Sequence, residues 1–284
     1  MANPHFCLHK VIAHFRMKLP SMSISRTLLF LFVSSLLLPL CSTARARPPA
    51  GQNWVLNPHL SDEFRSERLD TSKWRPKHAW YAGKPPSRFS EGDVWVEGGS
   101  LKIGATPLPG DQQTAKVWMT TGCISSLLPI AGFGYYEARI KASPSPLDSA
   151  FFLQIRSGQE IDIAENFGGS RTTPALGWQA RSHTHWFPNG YRRENDTDSL
   201  ALLSVPNTEW HVYGVWLQNA TTAIFYVDNR KVATHHLKGR FAKPMYMFFD
   251  QEPSQFQGLP KPAELVDKPK FTMQVDWVRS YVRT

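Results

Sequence analysis

Hydrophobic and aromatic residues recur along the chain in short runs of strand length, separated by turn-forming residues. The clearest runs are residues 135–141, 150–155, 211–217, 223–227 and 271–282. Helical periodicity is nearly absent, and only residues 261–267 predict a short turn of helix. The dipeptide Asp228-Asn229 predicts a hairpin tip, because both residue types tolerate a positive φ. The pattern predicts an all-β protein, a jelly-roll β-sandwich of two antiparallel sheets.

One predicted strand carries three carboxylates among apolar residues. In residues 159–166, Glu160, Asp162 and Glu165 are interleaved with isoleucine and alanine. Side chains of a strand alternate between its two faces, so Glu160 and Asp162 share one face while Glu165 falls out of phase. One extra residue, absorbed as a β-bulge near residues 163–164, returns Glu165 to the shared face. The sequence therefore predicts a bulged strand whose three acids line one cleft.

Neighbouring buried acids indicate glycoside hydrolysis, because desolvation and mutual repulsion separate their pKa values into a proton donor and an ionised group. With the bulge, Glu160 and Glu165 are expected two rungs apart, roughly 5–7 Å, a range that covers the ~5–5.5 Å of retaining enzymes. We predict Glu160 as the nucleophile, Glu165 as the general acid/base, and Asp162 as the group that orients and tunes them. The alternative is an edge strand with acids on its wet face. The apolar residues between the acids favour a central strand.

The N-terminal part of the chain has the layout of a secretory signal. Arg26 precedes an apolar run at residues 28–40, and small residues suited to cleavage follow it. The run is shorter than the roughly 20 residues of a membrane span, so we expect no stable membrane insertion after processing. We predict a signal peptide in residues 1–46, a linker in 47–53 and a catalytic domain in 54–284. The protein is then secreted, either extracellular or periplasmic.

Removal of the signal changes the charge and the cysteine content. The chain has 32 Lys and Arg against 23 Asp and Glu, and five of the basic residues but none of the acidic ones lie in residues 1–46, so the net charge falls from +9 to +4. This mild excess, without a basic stripe between aromatic residues, does not indicate a nucleic-acid partner. It is compatible with an anionic polysaccharide. Cys123 becomes the only cysteine, and we predict it as a small core residue.

The pattern E-x-D-x-x-E, with the segment GYYEARIK at residues 134–141 upstream of it, resembles glycoside hydrolase family 16. Further segments agree, and the resemblance extends from about Trp54 onward. The bulged form is similar to the branch of β-agarases, β-porphyranases and κ-carrageenases. The resemblance implies a concanavalin-like jelly roll with an open cleft and endo-cleavage of β-linked galactans. Agar or porphyran is the first expectation, and carrageenan or laminarin-type β-glucans are the alternatives.

The resemblance also implies sugar-binding residues outside the acid strand. In that branch, the region of Trp80 and Arg88 supplies an aromatic ring and an arginine to the subsites, and Glu252 matches a position near the sugar. Packing of Trp80 under its own loop is an alternative with equal support. For Glu252 the alternative is an exposed loop acid.

Arg181, His183 and His185 alternate along the chain so that they share one strand face, which suits a sugar-binding cleft beside the acids. The resemblance favours His183 or His185 as a hydrogen-bonding group near the cleaved bond. Two histidines at i and i+2 are also candidate metal ligands, but no third ligand has a suitable spacing, so we expect no zinc site and no cofactor for catalysis. A structural calcium ion recurs in the family, which makes Asp276 a candidate ligand.

A non-catalytic, lectin-like module on the same sandwich is the alternative from another functional class. A lectin has no need of three clustered acids, so the sequence favours an enzyme. We therefore predict a retaining endo-glycoside hydrolase, expected to be a monomer, whose partner is a polysaccharide.

Overall fold

The part of the chain that the computed structural model describes, residues 48–156, 158–188 and 195–284, is built from β-strands and contains no α-helix. The strands are β1 (Trp54–Leu56), β2 (Trp74–Arg75), β3 (Ser87–Phe89), β4 (Val94–Glu97), β5 (Ser100–Ile103), β6 (Ala105–Pro107), β7 (Met119–Thr121), β8 (Cys123–Ser126), β9 (Gly134–Lys141), β10 (Leu147–Ile155), β11 (Gln159–Asn166), β12 (Gln179–Trp186), β13 (Asn195–Leu202), β14 (His211–Asn219), β15 (Thr222–Val227), β16 (Arg230–His236), β17 (Tyr246–Pro253) and β18 (Met273–Arg283). Short 3₁₀ helices occur at Pro58–Leu60, Glu91–Asp93, Gly110–Gln112, Pro174–Trp178, Gln255–Gln257, Pro262–Glu264 and Lys268–Phe271.

Two large antiparallel sheets form the sandwich, as the strand pattern predicted. The cleft sheet has the order β13-β12-β11-β10-β17-β8-β2. The outer sheet has the order β16-β15-β14-β9-β18-β5-β4, and β1 pairs with β18. A small third sheet, β3-β7-β6, includes a parallel pair between β3 and β7. The acid-bearing β11 is a central strand, with β10 on one side and β12 on the other.

The main hydrophobic core contains residues of both sheets. On β10, Phe151 and Leu153 are fully buried in it, together with Tyr213 and Val215 of β14 in the outer sheet. The ring of Phe151 stacks on Phe249 of the neighbouring strand, with centroids 4.5 Å apart and an interplanar angle of 1°. Burial of such side chains is the main favourable term in folding.

The opposite face of the cleft sheet has its own apolar cluster. Ala150 and Phe152, which alternate with the core residues of β10, pack there with Phe248 and Cys123. The predicted core position of Cys123 is therefore confirmed, since its side chain is fully buried and its thiol is free. This cluster forms an apolar floor beside the acids of β11.

The hairpin predicted at Asp228-Asn229 is confirmed. Both residues have a positive φ, 49° and 63°, and they form the two-residue turn between β15 and β16. The carboxylate of Asp228 accepts a hydrogen bond from Val212 N (3.0 Å) and contacts Nδ1 of the buried His211 (2.7 Å). The turn is thus tied to β14, the strand that pairs with β15.

The predicted signal in residues 1–46 lies outside the described residues. Two residues of the predicted linker form backbone hydrogen bonds with the domain. The carbonyl oxygen of Pro49 accepts one from Trp54 Nε1 (2.7 Å), and that of Asn53 accepts one from Thr284 N (3.1 Å). The predicted helical turn at 261–267 contains one short 3₁₀ helix, Pro262–Glu264. In the described ranges, no helix has both the length and the apolar character that crossing a membrane requires.

We expect Phe151→Ala to lower the free energy of unfolding by about 3–5 kcal/mol, because it leaves a cavity where two rings now stack. Chemical denaturation followed by tryptophan fluorescence measures this. Phe133→Ala is the matched control, since Phe133 is 49% exposed, and its change is expected within about 0.5 kcal/mol. Equal losses in the two variants would contradict the assignment of the core.

Candidate active site

The β-bulge predicted from the sequence is present in β11. Asp162 lies opposite His183 of β12, and Glu165 lies opposite Arg181. Three residue steps on β11 therefore match two on β12, so the register shifts between them. The pairing with β10 shifts at the same place, which leaves Ile163 as the extra residue. Ile163 and Ala164 are both buried, so the side chains of the bulge pack in the core. Glu165 consequently returns to the face that already carries Glu160 and Asp162.

The backbone spacing of the two glutamates is wider than the sequence analysis estimated. Glu160 lies opposite Gln154 and Glu165 opposite Ala150, four residues apart on β10, with Asp162 between them. At 3.3 Å per residue this separates their Cα atoms by roughly 13 Å, not 5–7 Å. Carboxyl groups as close as the ~5–5.5 Å of retaining enzymes would therefore require both side chains to lean toward each other along the strand.

The polar face predicted on β12 lies against the acids. His185 pairs with Glu160, His183 with Asp162, and Arg181 with Glu165 across the strand boundary. His185 Nε2 is 2.9 Å from Asp162 Oδ2, and His183 Nδ1 contacts Glu165 Oε2. The imidazole rings of the two histidines lie nearly parallel, with centroids 5.6 Å apart. The structure therefore brings this whole predicted group to the acids.

Further carboxylates surround the predicted three, and the sequence analysis missed most of them. Glu252 was predicted, and it lies opposite Asp148 of β10 on the neighbouring strand β17. Asp250 lies two residues before Glu252, opposite Ala150. A fourth, Asp198 of β13, lies opposite His183. The alternation of Asp250 and Glu252 was a detectable signal, whereas Asp148 and Asp198 are single acids that only strand pairing brings to the site.

A cleft of about 450 Å³ opens beside Glu160. Its lining residues are His78, Trp80, Tyr81, Phe152, Gln154, Arg156, Glu160, Asp250 and Glu252. Trp80 lines the cleft and also packs edge-on against Phe248 and Tyr246, with centroids 5.5 and 5.6 Å away, so its role as a sugar platform stays a prediction. The ring of His78 stacks on Phe248 at 4.2 Å. Burial lowers the pKa of His78 to about 4, so this ring is neutral at pH 7.

Arg88 is exposed on β3, and it is not among the residues that line the cleft beside Glu160. Lys84, from the same segment, acts on Glu252 through a backbone hydrogen bond and through its charge. The subsite role implied for Arg88 stays a prediction.

Crowding raises the pKa of most carboxyls in the site. Burial raises the pKa of Glu160 to about 8, and the negative charge of Asp162 adds to the rise. Burial likewise raises the pKa of Glu252 to about 7. The pKa values of Asp148 and Asp250 are raised by burial and then by neighbouring acids. The site therefore favours the protonated form of these carboxyls.

Glu165 is the exception. Burial alone would raise its pKa, but the hydrogen bond and charge of His183, a hydrogen bond with Asp148 and the charge of Arg181 together lower it to about 2. Without a bound sugar, Glu165 is thus ionised and Glu160 is protonated. This is the reverse of the charge states that a nucleophile at Glu160 and a proton donor at Glu165 need for the first step.

Asp276 forms ion pairs with two arginines. Its Oδ2 is 2.8 Å from Arg139 Nη1, and its Oδ1 is 3.3 Å from Arg65 Nη1. The role of Asp276 as a calcium ligand stays a prediction. Within the described residues, the donor set that fits a metal is Asp162, His183 and His185, with ligand atoms within 4.8 Å of one another. The third donor atom of this set comes from Asp162 on the adjacent strand, which spacing along one strand does not reveal.

Comparison with known proteins agrees with this geometry. Residues 54–283 match the family model described as β-porphyranase A-D, GH16 domain. The chain is 37% identical over 256 residues to β-porphyranase E of Zobellia galactanivorans, covering 82% of this chain and 89% of that protein. It is 33% identical to β-porphyranase B of Phocaeicola plebeius, covering 82% and 86%.

A solved structure shows the same architecture. The crystal structure of a β-porphyranase from the human gut bacterium Bacteroides plebeius superposes with a TM-score of 0.74 at 28% identity, over 85% of this chain and 95% of that one. The family model spans nearly all of the described sandwich, including the bulged acid strand. The chain therefore belongs to glycoside hydrolase family 16, among the β-porphyranase A-D domains.

Proposed function

We propose that this protein is a retaining endo-glycoside hydrolase that cleaves β-linked galactans, with porphyran as the first substrate and agarose as the second. The observation that carries the proposal is the bulge that places Glu160, Asp162 and Glu165 on one face of a central strand, beside a cleft. The similar proteins named above are β-porphyranases, which favours porphyran. Agarose follows because a β-agarase of Microbulbifer thermotolerans is 30% identical to this chain.

The site supplies two faces suited to a sugar chain. On the β17 side, Trp80 and Phe152 offer apolar surface against which a pyranose ring packs. On the β12 side, His183, His185 and Arg181 offer polar groups along the same strand face. A sugar chain that crosses β11 thus meets a stacking surface, then the acids, then hydrogen-bonding groups.

In the proposed mechanism, the Glu160 carboxylate attacks the anomeric carbon while Glu165 protonates the departing glycosidic oxygen. The bond from the anomeric carbon to that oxygen breaks as the bond to Glu160 forms. Glu165 then takes a proton from a water molecule, whose oxygen displaces Glu160 with overall retention of configuration. Asp162, between the two glutamates, orients them, and its charge adds to the rise that burial causes in the pKa of Glu160.

Binding of substrate must exchange the charge states of the two glutamates, so that the proton held by Glu160 in the free site passes to Glu165. The sugar covers Glu160 with hydroxyl donors, which favour its ionised form and so support this transfer. We also propose that the protein is secreted and monomeric. The signal pattern in residues 1–46 supports export, because a polysaccharide is met outside the cell.

We expect Glu160→Gln to abolish measurable turnover and Glu165→Gln to lower kcat on porphyran by about 10²–10⁴-fold, because they remove the nucleophile and the proton donor. Reducing-end release from porphyran, agarose, carrageenan and laminarin measures the activity and the substrate together. Glu67→Gln, at an exposed position, is the control and retains full activity. NMR of the first-formed product is expected to show the β-anomer.

Two outcomes would contradict the proposal. Near-normal turnover by Glu160→Gln would remove its proposed role as nucleophile. Binding without cleavage across the whole panel by the unaltered protein would favour the lectin-like alternative instead.

The pH dependence follows from the raised pKa of Glu160. The reaction needs one proton on the pair of glutamates, and above the pKa of Glu160, about 8, this proton is lost, so kcat/KM is expected to fall as the pH rises above about 8. Asp162→Asn removes the charge that, after burial, contributes most to the rise of that pKa. The alkaline limb of kcat/KM should therefore move to lower pH in this variant. An alkaline limb that is the same in Asp162→Asn and in the unaltered protein would contradict this prediction.

Trp80→Ala is expected to raise KM for the polysaccharide by about tenfold, equivalent to about 1.4 kcal/mol, with little change in kcat. The reason is loss of the stacking surface in the cleft. Steady-state kinetics measures both constants, and thermal unfolding reports the loss of packing separately. Trp95→Ala is the control, because Trp95 lies on β4 in the outer sheet. An unchanged KM together with lowered stability would leave Trp80 with a packing role only.

A further inference from the structure

His78 lies between the loop that carries Trp80 and the acids of the cleft. Its ring is buried on the apolar floor of the cleft sheet, where it stacks on Phe248. His78 Nδ1 accepts hydrogen bonds from the backbone N–H groups of Trp80 (3.4 Å) and Tyr81 (3.2 Å). The side chain therefore anchors its own loop to the sheet, and it has no part in the mechanism proposed for the acids.

These two contacts fix the tautomer of His78. A backbone N–H group donates and cannot accept, so Nδ1 carries no proton, and the neutral ring carries its proton on Nε2. The pKa of His78, which burial lowers to about 4, agrees with a neutral ring. A buried N–H group such as Nε2–H needs a hydrogen-bond acceptor.

Gln154 supplies that acceptor. Burial lowers the pKa of His78, and a hydrogen bond with the Gln154 side chain opposes the fall, which is the effect of an acceptor on a ring N–H. The amide oxygen of Gln154 therefore faces His78, because it is the only acceptor of that side chain. The amide N–H group is left pointing away from His78.

The other partner of Gln154 is Glu160. The two residues lie directly opposite each other in the pairing of β10 with β11, and both side chains line the cleft. Burial raises the pKa of Glu160, and a hydrogen bond with Gln154 opposes the rise, which is the effect of a donor on a carboxylate. The amide N–H group of Gln154 thus donates to Glu160.

We propose that Gln154 positions the carboxylate of Glu160 for attack and that His78 sets the orientation of the Gln154 amide. The inference rests on the proposed function, since it presumes Glu160 as the nucleophile. Gln154 and His78 are positioning residues in this scheme, because they act through Glu160 and not on the anomeric carbon.

The arrangement gives the amide a single orientation before the sugar binds. A reversed amide would set two donors, its own N–H group and Nε2–H of His78, against each other. In the orientation that remains, the amide can only donate to Glu160, so it favours the ionised carboxylate that attacks the anomeric carbon. A nucleophile held by a locked neighbour in this way is preorganised for the reaction.

Gln154→Met removes the donor at similar side-chain volume. We expect kcat for porphyran cleavage to fall about 10–100-fold while KM stays within about twofold, because the lost hydrogen bond goes to a charged group that acts in the chemical step. Reducing-end release under steady-state conditions measures both constants. Gln218→Met is the matched control, a half-buried glutamine of β14 in the outer sheet, and it retains both constants.

Two variants of His78 separate the roles of its two nitrogens. An asparagine oxygen reaches the place of Nδ1 but offers no donor at the place of Nε2. A glutamine nitrogen reaches the place of Nε2 but leaves the two backbone N–H groups of the loop without their acceptor. His78→Asn should therefore lower kcat about 10–100-fold with KM within about twofold. His78→Gln should keep kcat within about threefold and raise KM, because the loop that carries Trp80 loses its anchor.

A chemical substitute for the nucleophile distinguishes positioning of Glu160 from direct contact with the sugar. In Glu160→Ala, added azide is expected to attack the anomeric carbon of a dinitrophenyl β-glycoside of a porphyran oligosaccharide. The bond from that carbon to azide forms as the bond to the aryl oxygen breaks, and dinitrophenolate leaves with the electron pair. Adding Gln154→Met to Glu160→Ala should change this rate less than about twofold, because no carboxylate remains to be positioned. The absorbance of dinitrophenolate follows the reaction.

An unchanged kcat in Gln154→Met would overturn the inference. So would an azide reaction that Gln154→Met slows as much as it slows the unaltered protein, since Gln154 would then contact the sugar itself. Equal effects of His78→Asn and His78→Gln on both constants would remove the role of His78, and the Gln154 variants keep the test available if a His78 variant does not fold. Failure of the proposed function gives a different result, because Glu160→Ala would then form no glycosyl azide whether or not Gln154 is changed, and the inference would fall with it.

Discussion

The extra residue in β11 is the constraint on which the site depends. A strand without it would place Glu165 toward the core, against buried side chains such as Phe151, where an ionised carboxylate is strongly unfavourable. The bulge shifts the alternation of side chains between the two faces by one residue. Regular pairing with the neighbouring strands then resumes at Glu165. Ile163 and Ala164 both occupy the core side, so the hydrophobic effect stabilises the same irregularity that turns Glu165 to the face of Glu160 and Asp162.

The gathering of acids on one surface has an electrostatic cost, which the site meets in two ways. On the β10 and β17 side, the carboxyls of Asp148, Asp250 and Glu252 have raised pKa values, so protonation relieves their repulsion. On the β12 side, His183 and Arg181 supply positive charge close to Glu165. The two sides of β11 therefore differ in charge, and this difference gives the two glutamates proposed as catalytic distinct environments.

Much of the fold and part of the site follow from residues that are close in the sequence. Strand alternation, the bulge and the shared face of Arg181, His183 and His185 depend only on local spacing, so the sequence analysis placed them correctly. The same is true of the turn at Asp228-Asn229, where the two residue types themselves permit the positive φ. The spacing of Glu160 and Glu165 was underestimated, because the rung occupied by Asp162 between them was not counted.

The surroundings of the acids depend on which strands are neighbours, and no local pattern specifies that. Asp198 reaches His183 only because β13 pairs with β12 in one register, and Asp148 interacts with Glu165 through the pairing of β10 with β11. The ion-pair partners of Asp276, Arg65 and Arg139, are likewise distant in sequence. Only the folded chain brings their guanidinium groups to its carboxylate. The sequence by itself determined the strands and the phase of the acids, since alternation is a local property. The tertiary structure decided their charge states, because those depend on groups brought together by non-local pairing.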